Sequence, residues 1–290
     1  GLPRGVAEYN DDCNYMAGAI IQSGMVTTVS PTYAREILDP WFAHGLDPLL
    51  RQYSWKLRGI LNGIDTVTYN PETDQSIYKT YSVSTYQDKA VNKQRLQKDM
   101  GLSQMGDAML VGIVTRLASH KGLDLIKFIF PKLIEEGMEV VILGSGEYVY
   151  ESFFNEMAAT YPDKVAFRCG FIPDLARKIY AGSDVFLMPS KSEPCGLAQM
   201  VSLRYGTIPV VRKTGGLADS IVDMGDSGGT GYTFQSYNAH DMFGAIKRAQ
   251  SHYYDKPAWE RAIQNAMKTD CSWAKSAKEY TSMYEELMGW

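Results

Sequence analysis

The sequence predicts an α/β fold: a parallel sheet with helices on both faces. Three observations predict it. From about residue 105 onward, short β-branched runs alternate with longer amphipathic runs. The short runs are apolar nearly throughout, as strands covered on both faces are. The chain is also large enough: at about 150 residues per domain, 290 residues with 45% hydrophobic content make one or two domains. A chain of about 300 residues buries about 75% of its unfolded surface, so a core forms without disulfide or metal staples.

The elements follow in order. A helical run near 12–24 leads to a short strand, VTTVS (26–30), and Pro31 and Thr32 open a helix, YAREILDP, before Gly59–Gly63 closes the segment. This is one βα step of a sheet, too little to fold alone. Residues 66–105 are polar, Tyr-rich and loop-like apart from a charged helix at KAVNKQRLQKDMG. MLVGIVT (109–115) is the first strand of the main sheet. The helix KGLDLIKFIFPKLIEEG (121–137) follows, with Leu123, Ile126, Phe130 and Leu133 on one stripe. EVVIL (139–143), VAFR (165–168), DVFLM (184–188) and IPVV (208–211) are further strands separated by helical stretches, and a helical pair covers about 255–288. There is no fixed-period repeat and no low-complexity linker.

Charge excludes some functions. With 29 Lys+Arg against 33 Asp+Glu the net charge is −4, so no sequence-wide basic field holds nucleic acid or an anionic membrane. No apolar run reaches 18 residues, so no membrane span is expected. The opening GLPRGVAEYNDDCNY has neither the charged start nor the apolar core of a signal peptide. Cys13, Cys169, Cys195 and Cys271 lie far apart, which argues against disulfides and zinc and for buried thiols in a reducing compartment. His44, His120, His240 and His252 show no metal spacing.

Parallel sheets bind ligands at the carboxyl ends of their strands, and the chemistry-bearing motifs fall there. In TRLASHKG (115–122), Arg116 lies at a strand end and Lys121 opens the next helix. Across such a corner two unpaired cations converge above the sheet, where a helix N-terminus adds free N–H donors; this suits a diphosphate, although a solvated pair of surface charges fits the spacing equally. In SEPCGLAQM (192–200), Glu193 and Pro194 are placed at a helix start after a strand, and Gly196 lets backbone N–H groups approach an anion. Cys195 has no base beside it in sequence and is a small buried side chain more readily than a nucleophile. In RKTGGLADSI (212–221), Thr214, Gly215 and Gly216 offer another backbone cradle for an anion. LGSGEY (143–148) is a tight strand-to-helix turn, without the third glycine of a dinucleotide site.

VSPTYAREI (29–37), GILNGIDTVTYNPETD (59–74), TRLASHKGLDL (115–125), SEPCGLAQM (192–200) and RKTGGLADS (212–220) closely resemble bacterial glycogen synthases and plant starch synthases, retaining glucosyltransferases of the GT-B fold. The resemblance implies a Rossmann-like sheet and transfer of glucose from ADP-glucose to the non-reducing end of an α-1,4-glucan. It implies that Arg116 and Lys121 neutralise the diphosphate and that Glu193 lies against the donor glucose. It places Cys195, Gly196 and Leu197 on sugar and phosphate through backbone groups, Phe171 on adenine, and Asn62 and Asp65 in a hinge between two domains. Neither a metal nor an organic cofactor is implied, and retention without an enzymatic nucleophile resembles a front-face mechanism. The wording around Lys121 leans bacterial and cytoplasmic, the alternative being plastid.

Family members begin with a Lys-x-Gly-Gly-Leu loop, and none precedes residue 60 here. The resemblance therefore divides the chain into the incomplete end of an N-terminal acceptor domain with the hinge (1–60), a donor-binding domain (61–265) and a C-terminal helix that crosses back (266–290). Most of the acceptor domain would lie outside this sequence, in a truncated chain, a proteolytic remnant or one that needs a partner, and the 290 residues alone would not turn over. Two alternatives stand beside this expectation: a related transferase using UDP-glucose, and a non-catalytic module binding nucleotide sugar or glucan.

Overall fold

The structure is a computed structural model that describes residues 7–103 and 107–289; GLPRGV and Trp290, parts of the opening and closing segments analysed above, lie outside the described residues. A short antiparallel hairpin, β1 (Glu8–Tyr9) and β2 (Asp12–Cys13), precedes α1 (Tyr15–Gln22). The predicted helix starts late because Asp12 and Cys13 are in the hairpin and Asn14 caps the helix, its side chain accepting the Ala17 N–H. Next come β3 (Val26–Thr28), α2 (Pro31–Glu36), α3 (Pro40–Ala43), α4 (Asp47–Gln52) and β4 (Leu57–Gly59), with β3 and β4 paired parallel. Ser30 ends the VTTVS strand early because its Oγ caps α2, accepting the Tyr33 N–H at 2.8 Å ahead of Pro31.

The polar stretch carries α5 (Lys89–Met100), after which strand and helix alternate: β5 (Leu110–Val114), α6 (Leu123–Glu135), β6 (Glu139–Gly144), α7 (Tyr148–Thr160), β7 (Val165–Cys169), α8 (Pro173–Gly182), β8 (Val185–Met188), α9 (Ala198–Arg204), β9 (Ile208–Arg212), α10 (Gly215–Ser220) and β10 (Tyr232–Phe234). Helices α11 (Ala239–Tyr254), α12 (Lys256–Lys268) and α13 (Trp273–Met288) complete the chain. The sheet has six parallel strands in the order β10-β9-β8-β5-β6-β7. Each strand predicted from residue 109 onward is present, and the α6 stripe Leu123, Ile126, Phe130 and Leu133 is fully buried against the sheet. Sequence pattern missed β10, whose three residues are too few for a period to show.

Strand order reverses between β5 and β8, so the connections from these neighbours leave in opposite directions and open a crevice at their carboxyl ends. The N-terminal segment meets this edge through α2, where Asp219 of α10 accepts from the Thr32 N–H at 2.8 Å and the Thr32 hydroxyl at 2.6 Å. At the far side α13 returns to the same segment. The Ile64 N–H donates to the Cys271 carbonyl at 2.8 Å, Ser276 Oγ donates to the Leu61 carbonyl, and Arg58 pairs with Glu286 at 3.0 Å. Among the described residues no helix is long and apolar enough to cross a membrane. The four cysteines are free; Cys195 is buried and Cys271 half-buried, but Cys13 and Cys169 are exposed, contrary to the expectation of buried thiols, because one lies in the terminal hairpin and the other at a strand's carboxyl end.

Candidate active site

The motif after β5 and the motif after β8 meet because those strands are neighbours at the reversal. Lys121 ends a short helical turn, Ser119–Lys121, and Gly122 follows with φ +74, outside the range other residues favour. A Cβ at Gly122 would lie 2.1 Å from the Pro189 carbonyl oxygen, so glycine lets the start of α6 press onto the loop beyond β8. Lys121 Nζ thereby reaches Glu193 Oε2 at 2.7 Å, and Ser190 Oγ donates to the same oxygen at 2.9 Å. The side chains are 17% and 9% exposed, which makes this a buried ion pair. Lys121 is therefore not one of two unpaired cations.

Glu193 differs from its expected setting. Helix α9 begins only at Ala198, so Glu193 stands in the loop ahead of it, held by Lys121 and Ser190 in place of a helix dipole. Gln199, in the first turn of α9, fastens the loop: its Nε2 donates to the carbonyls of Cys195 (3.2 Å) and Gly196 (3.0 Å) and to Ser220 Oγ (2.9 Å). Gly196 takes φ +67, and Leu197 is half exposed at the mouth of the crevice. Burial pushes the Cys195 thiol up, partly offset by the backbone N–H of Asn62, so the hinge motif touches this loop and the thiol stays protonated. Asp65 is directed elsewhere. Its exposed carboxylate accepts from the Thr68 hydroxyl (2.6 Å) and the Val67 and Thr68 N–H groups, which lower its pKa and fix a local turn.

Arg116 is exposed and lines a cavity of about 210 Å³ with Thr115, Gly144, Ser145, Gly170 and Phe171. Phe171 is 90% exposed at its rim. An exposed apolar ring beside a cavity is a candidate contact for a ligand. Next to Lys121 in the chain is His120, which burial and the charges of Lys121 and Arg116 hold below the ordinary imidazole range. Two cations, Arg116 and Lys121, and two carboxylates, the buried Glu193 and Glu147, which accepts from the Ser119 N–H at 2.8 Å, surround it.

Thr214, Gly215 and Gly216 are engaged inside the chain. The Thr214 hydroxyl donates to Glu36 Oε1 at 2.8 Å, the Gly215 N–H donates to both Glu36 oxygens at 3.1 Å, and the Gly216 N–H donates to the Glu193 carbonyl at 3.0 Å. The anion in this cradle is Glu36, from the N-terminal segment. Ser190, Gln199 and Glu36 were not singled out from sequence; the first two lie within or beside the Glu193 motif, and Glu36 lies in the VSPTYAREI motif (29–37), where nothing local marks it as the partner of Thr214 and Gly215. Among the described residues no three His, Cys, Asp or Glu side chains gather as a metal-binding group.

The carboxyl edge of the parallel sheet thus carries the Lys121–Glu193 pair at the β5/β8 reversal and Arg116 and Phe171 around a cavity over the ends of β5, β6 and β7. Residues 100–269 match the family described as glycosyl transferases group 1, and residues 2–52 match the starch synthase catalytic domain. The chain belongs to the glycosyl transferases group 1 family.

Within that family it is similar to the glycogen synthase of Bacillus cereus (strain ATCC 10987 / NRS 248), 48% identical over 97% of this chain and 60% of the relative. It is 47% identical to the glycogen synthase of Geobacillus thermodenitrificans over 97% of this chain and 58% of that one. In structure it is similar to the catalytic domain of starch synthase IV from Arabidopsis thaliana bound to ADP and acarbose, with TM-score 0.90 and 39% identity over 97% of this chain and 59% of that chain. A sucrose-phosphate synthase from Thermosynechococcus elongatus, at TM-score 0.63 and 17% identity, covers 98% of this chain and 64% of that one and shares the fold. The chain spans about 60% of the length of the curated relatives it matches.

Proposed function

We propose that this chain is the donor-binding part of a retaining glucosyltransferase that moves glucose from ADP-glucose to the non-reducing end of an α-1,4-glucan. The observation that carries the proposal is the Lys121–Glu193 pair at the strand reversal together with the Arg116–Phe171 cavity over the ends of β5, β6 and β7. The starch synthase bound to ADP and acarbose supports it, as a close structural relative holding a nucleotide and an oligosaccharide. Adenine stacks on Phe171, and the diphosphate lies across Arg116 and Lys121. Lys121 has three N–H donors and Glu193 takes one, so the ammonium also serves a phosphate oxygen. As the glucosyl–phosphate bond breaks, negative charge on the leaving ADP is met by the cations Arg116 and Lys121. Glu193 faces the developing positive charge on the sugar, and Cys195, Gly196 and Leu197 contribute backbone groups.

We assign residues 1–60 to an acceptor domain completed by chain beyond this sequence. Its two-stranded sheet β3–β4 is too small to be stable alone. An apolar groove of about 790 Å³, lined by Met16, Ile20, Val26, Tyr33 and Leu50 among others, offers a surface for the remainder. We assign 61–265 to donor binding, 266–290 to the crossing helix, and the whole to a reducing cytoplasm.

Calorimetry with ADP-glucose and UDP-glucose tests the proposal. ADP-glucose is expected to bind at least tenfold more tightly, and Phe171→Ala to weaken its binding roughly 5- to 150-fold, since stacking of a base on an aromatic ring is worth about 1–3 kcal/mol. Equal affinity for the two donors would overturn the adenine assignment.

A further inference from the structure

We propose that Glu36 is a positioning residue for the reaction: seated on Thr214 and Gly215, it fixes the loop that carries Glu193. The inference rests on the glucosyltransferase reading of the site. Glu36 closes α2, far from the sheet in sequence, yet its carboxylate accepts from the Thr214 hydroxyl at 2.8 Å and twice from the Gly215 N–H at 3.1 Å. The half-buried Arg212 guanidinium, one of whose nitrogens has no partner, lies close enough for the Glu36 charge to act on it. A carboxylate so placed cannot leave without exposing donors that it alone satisfies here.

Gly215 and Gly216 transmit this contact, because both press directly on the loop. A Cβ at Gly215 would lie 2.0 Å from the Glu193 carbonyl oxygen, and one at Gly216 would lie 1.9 Å from that of Cys195. The Gly216 N–H donates to the Glu193 carbonyl at 3.0 Å and to the Pro194 carbonyl at 3.2 Å. At the other end of α10, Thr32 of α2 holds Asp219, while Ser220 holds Gln199, which grips the carbonyls of Cys195 and Gly196. Helix α10 is therefore a bar clamped by α2 at both ends and joined at two points to the Glu193 loop. Docking of the N-terminal segment and placement of the catalytic carboxylate are one event.

The test uses the whole chain, with Glu36→Ala and the isosteric Glu36→Gln. Hydrogen exchange of backbone amides from Ser190 to Leu197 and at Gly215 and Gly216 is the first readout, and affinity for ADP-glucose relative to ADP is the second. Glu36→Ala is expected to speed exchange in that stretch at least tenfold and leave β5 and β6 unchanged. It should also remove most of the ADP-glucose preference, because Glu193 faces the sugar, and keep ADP affinity within threefold. Glu36→Gln, which retains one acceptor oxygen, should recover part of both effects, and it carries the test if the alanine variant does not fold. Unaltered loop exchange overturns the proposal. So does faster exchange with the sugar preference intact, which leaves Glu36 a structural tie only. A parent chain that binds neither nucleotide defeats the functional reading instead, and the exchange result then decides whether Glu36 holds the loop.

Discussion

Lys121 and Arg116 stand five residues apart and should respond differently to removal. Lys121→Ala leaves the buried Glu193 carboxylate with Ser190 as its side-chain partner. Stranding one member of a buried pair costs about 3–5 kcal/mol, so a clear fall in melting temperature is expected together with weaker ADP binding. Arg116 is exposed and belongs to none of the ion pairs among the described residues. Arg116→Ala should change stability by no more than about 0.5 kcal/mol yet weaken ADP binding roughly 10- to 100-fold, leaving adenosine binding unaltered. Thermal melts and calorimetry on the two variants check both halves. An Arg116→Ala protein that melts early and binds ADP normally would make this cation structural.

At the scale of elements, α5 shows what sequence pattern hides. Its residues Lys89, Asn92, Lys93 and Gln97 look like a solvated face, yet all four are buried. Lys93 pairs with Asp184 at 2.6 Å, Gln97 donates to Glu139 at 2.6 Å, and Lys89 donates to the Ala181 carbonyl at 2.7 Å and to Thr207 Oγ1 at 2.6 Å. The partners come from the starts of β6 and β8, from α8 and from the loop before β9, none near α5 in the chain. Burial pulls the Lys89 pKa down to about 7, against the opposing pull of Asp184. An unfolded lysine titrates near about 10.4, so between these values the unfolded chain holds a proton that the folded one has released. Lys89 should therefore contribute a rise in stability with pH from about 7 to about 10, with a slope approaching about 1.4 kcal/mol per unit, against which the thiols that burial pushes up, Cys271 to about 11, act near the top of that range. Denaturant titrations across that range are expected to show the rise in the parent and a flatter profile in Lys89→Met.

The same contrast explains what could be foreseen. Strands β5 to β9 and the α6 stripe were legible because each buries a continuous or periodic apolar surface, a property of neighbours in sequence. Arg116, Lys121 and Glu193 were legible as motif residues, but their pairing was not, since it depends on β5 and β8 being adjacent. Neither the late start of α9 nor the Glu36 contact leaves a local signal. Both are set by parts of the chain that meet only after folding.

For the whole molecule, the proposed division predicts weak binding. With one wall of the cleft contributed by chain beyond this sequence, two or three phosphate contacts are missing, each worth about 1.5–3 kcal/mol. ADP-glucose should bind this chain at least tenfold more weakly than it binds a form extended to the length of the relatives, of which this chain spans about 60%; equal affinities by calorimetry would remove the need for the second wall.

The return of α13 to the N-terminal segment has a consequence for the order of assembly. Residues Leu57–Ile64 are held by Cys271, Ser276 and Glu286, more than 200 positions later in the chain. Contacts so distant in sequence form late, whereas strand and helix neighbours of the sheet close short loops early. On the ribosome, residues 14–60 must then wait, with the apolar lining of their groove uncovered, until α13 emerges. A chain ended after Cys271 should accordingly yield to protease within residues 14–60 while residues 107–270 stay protected. Persistent protection of both regions would show that the early segment anchors itself without the last helix.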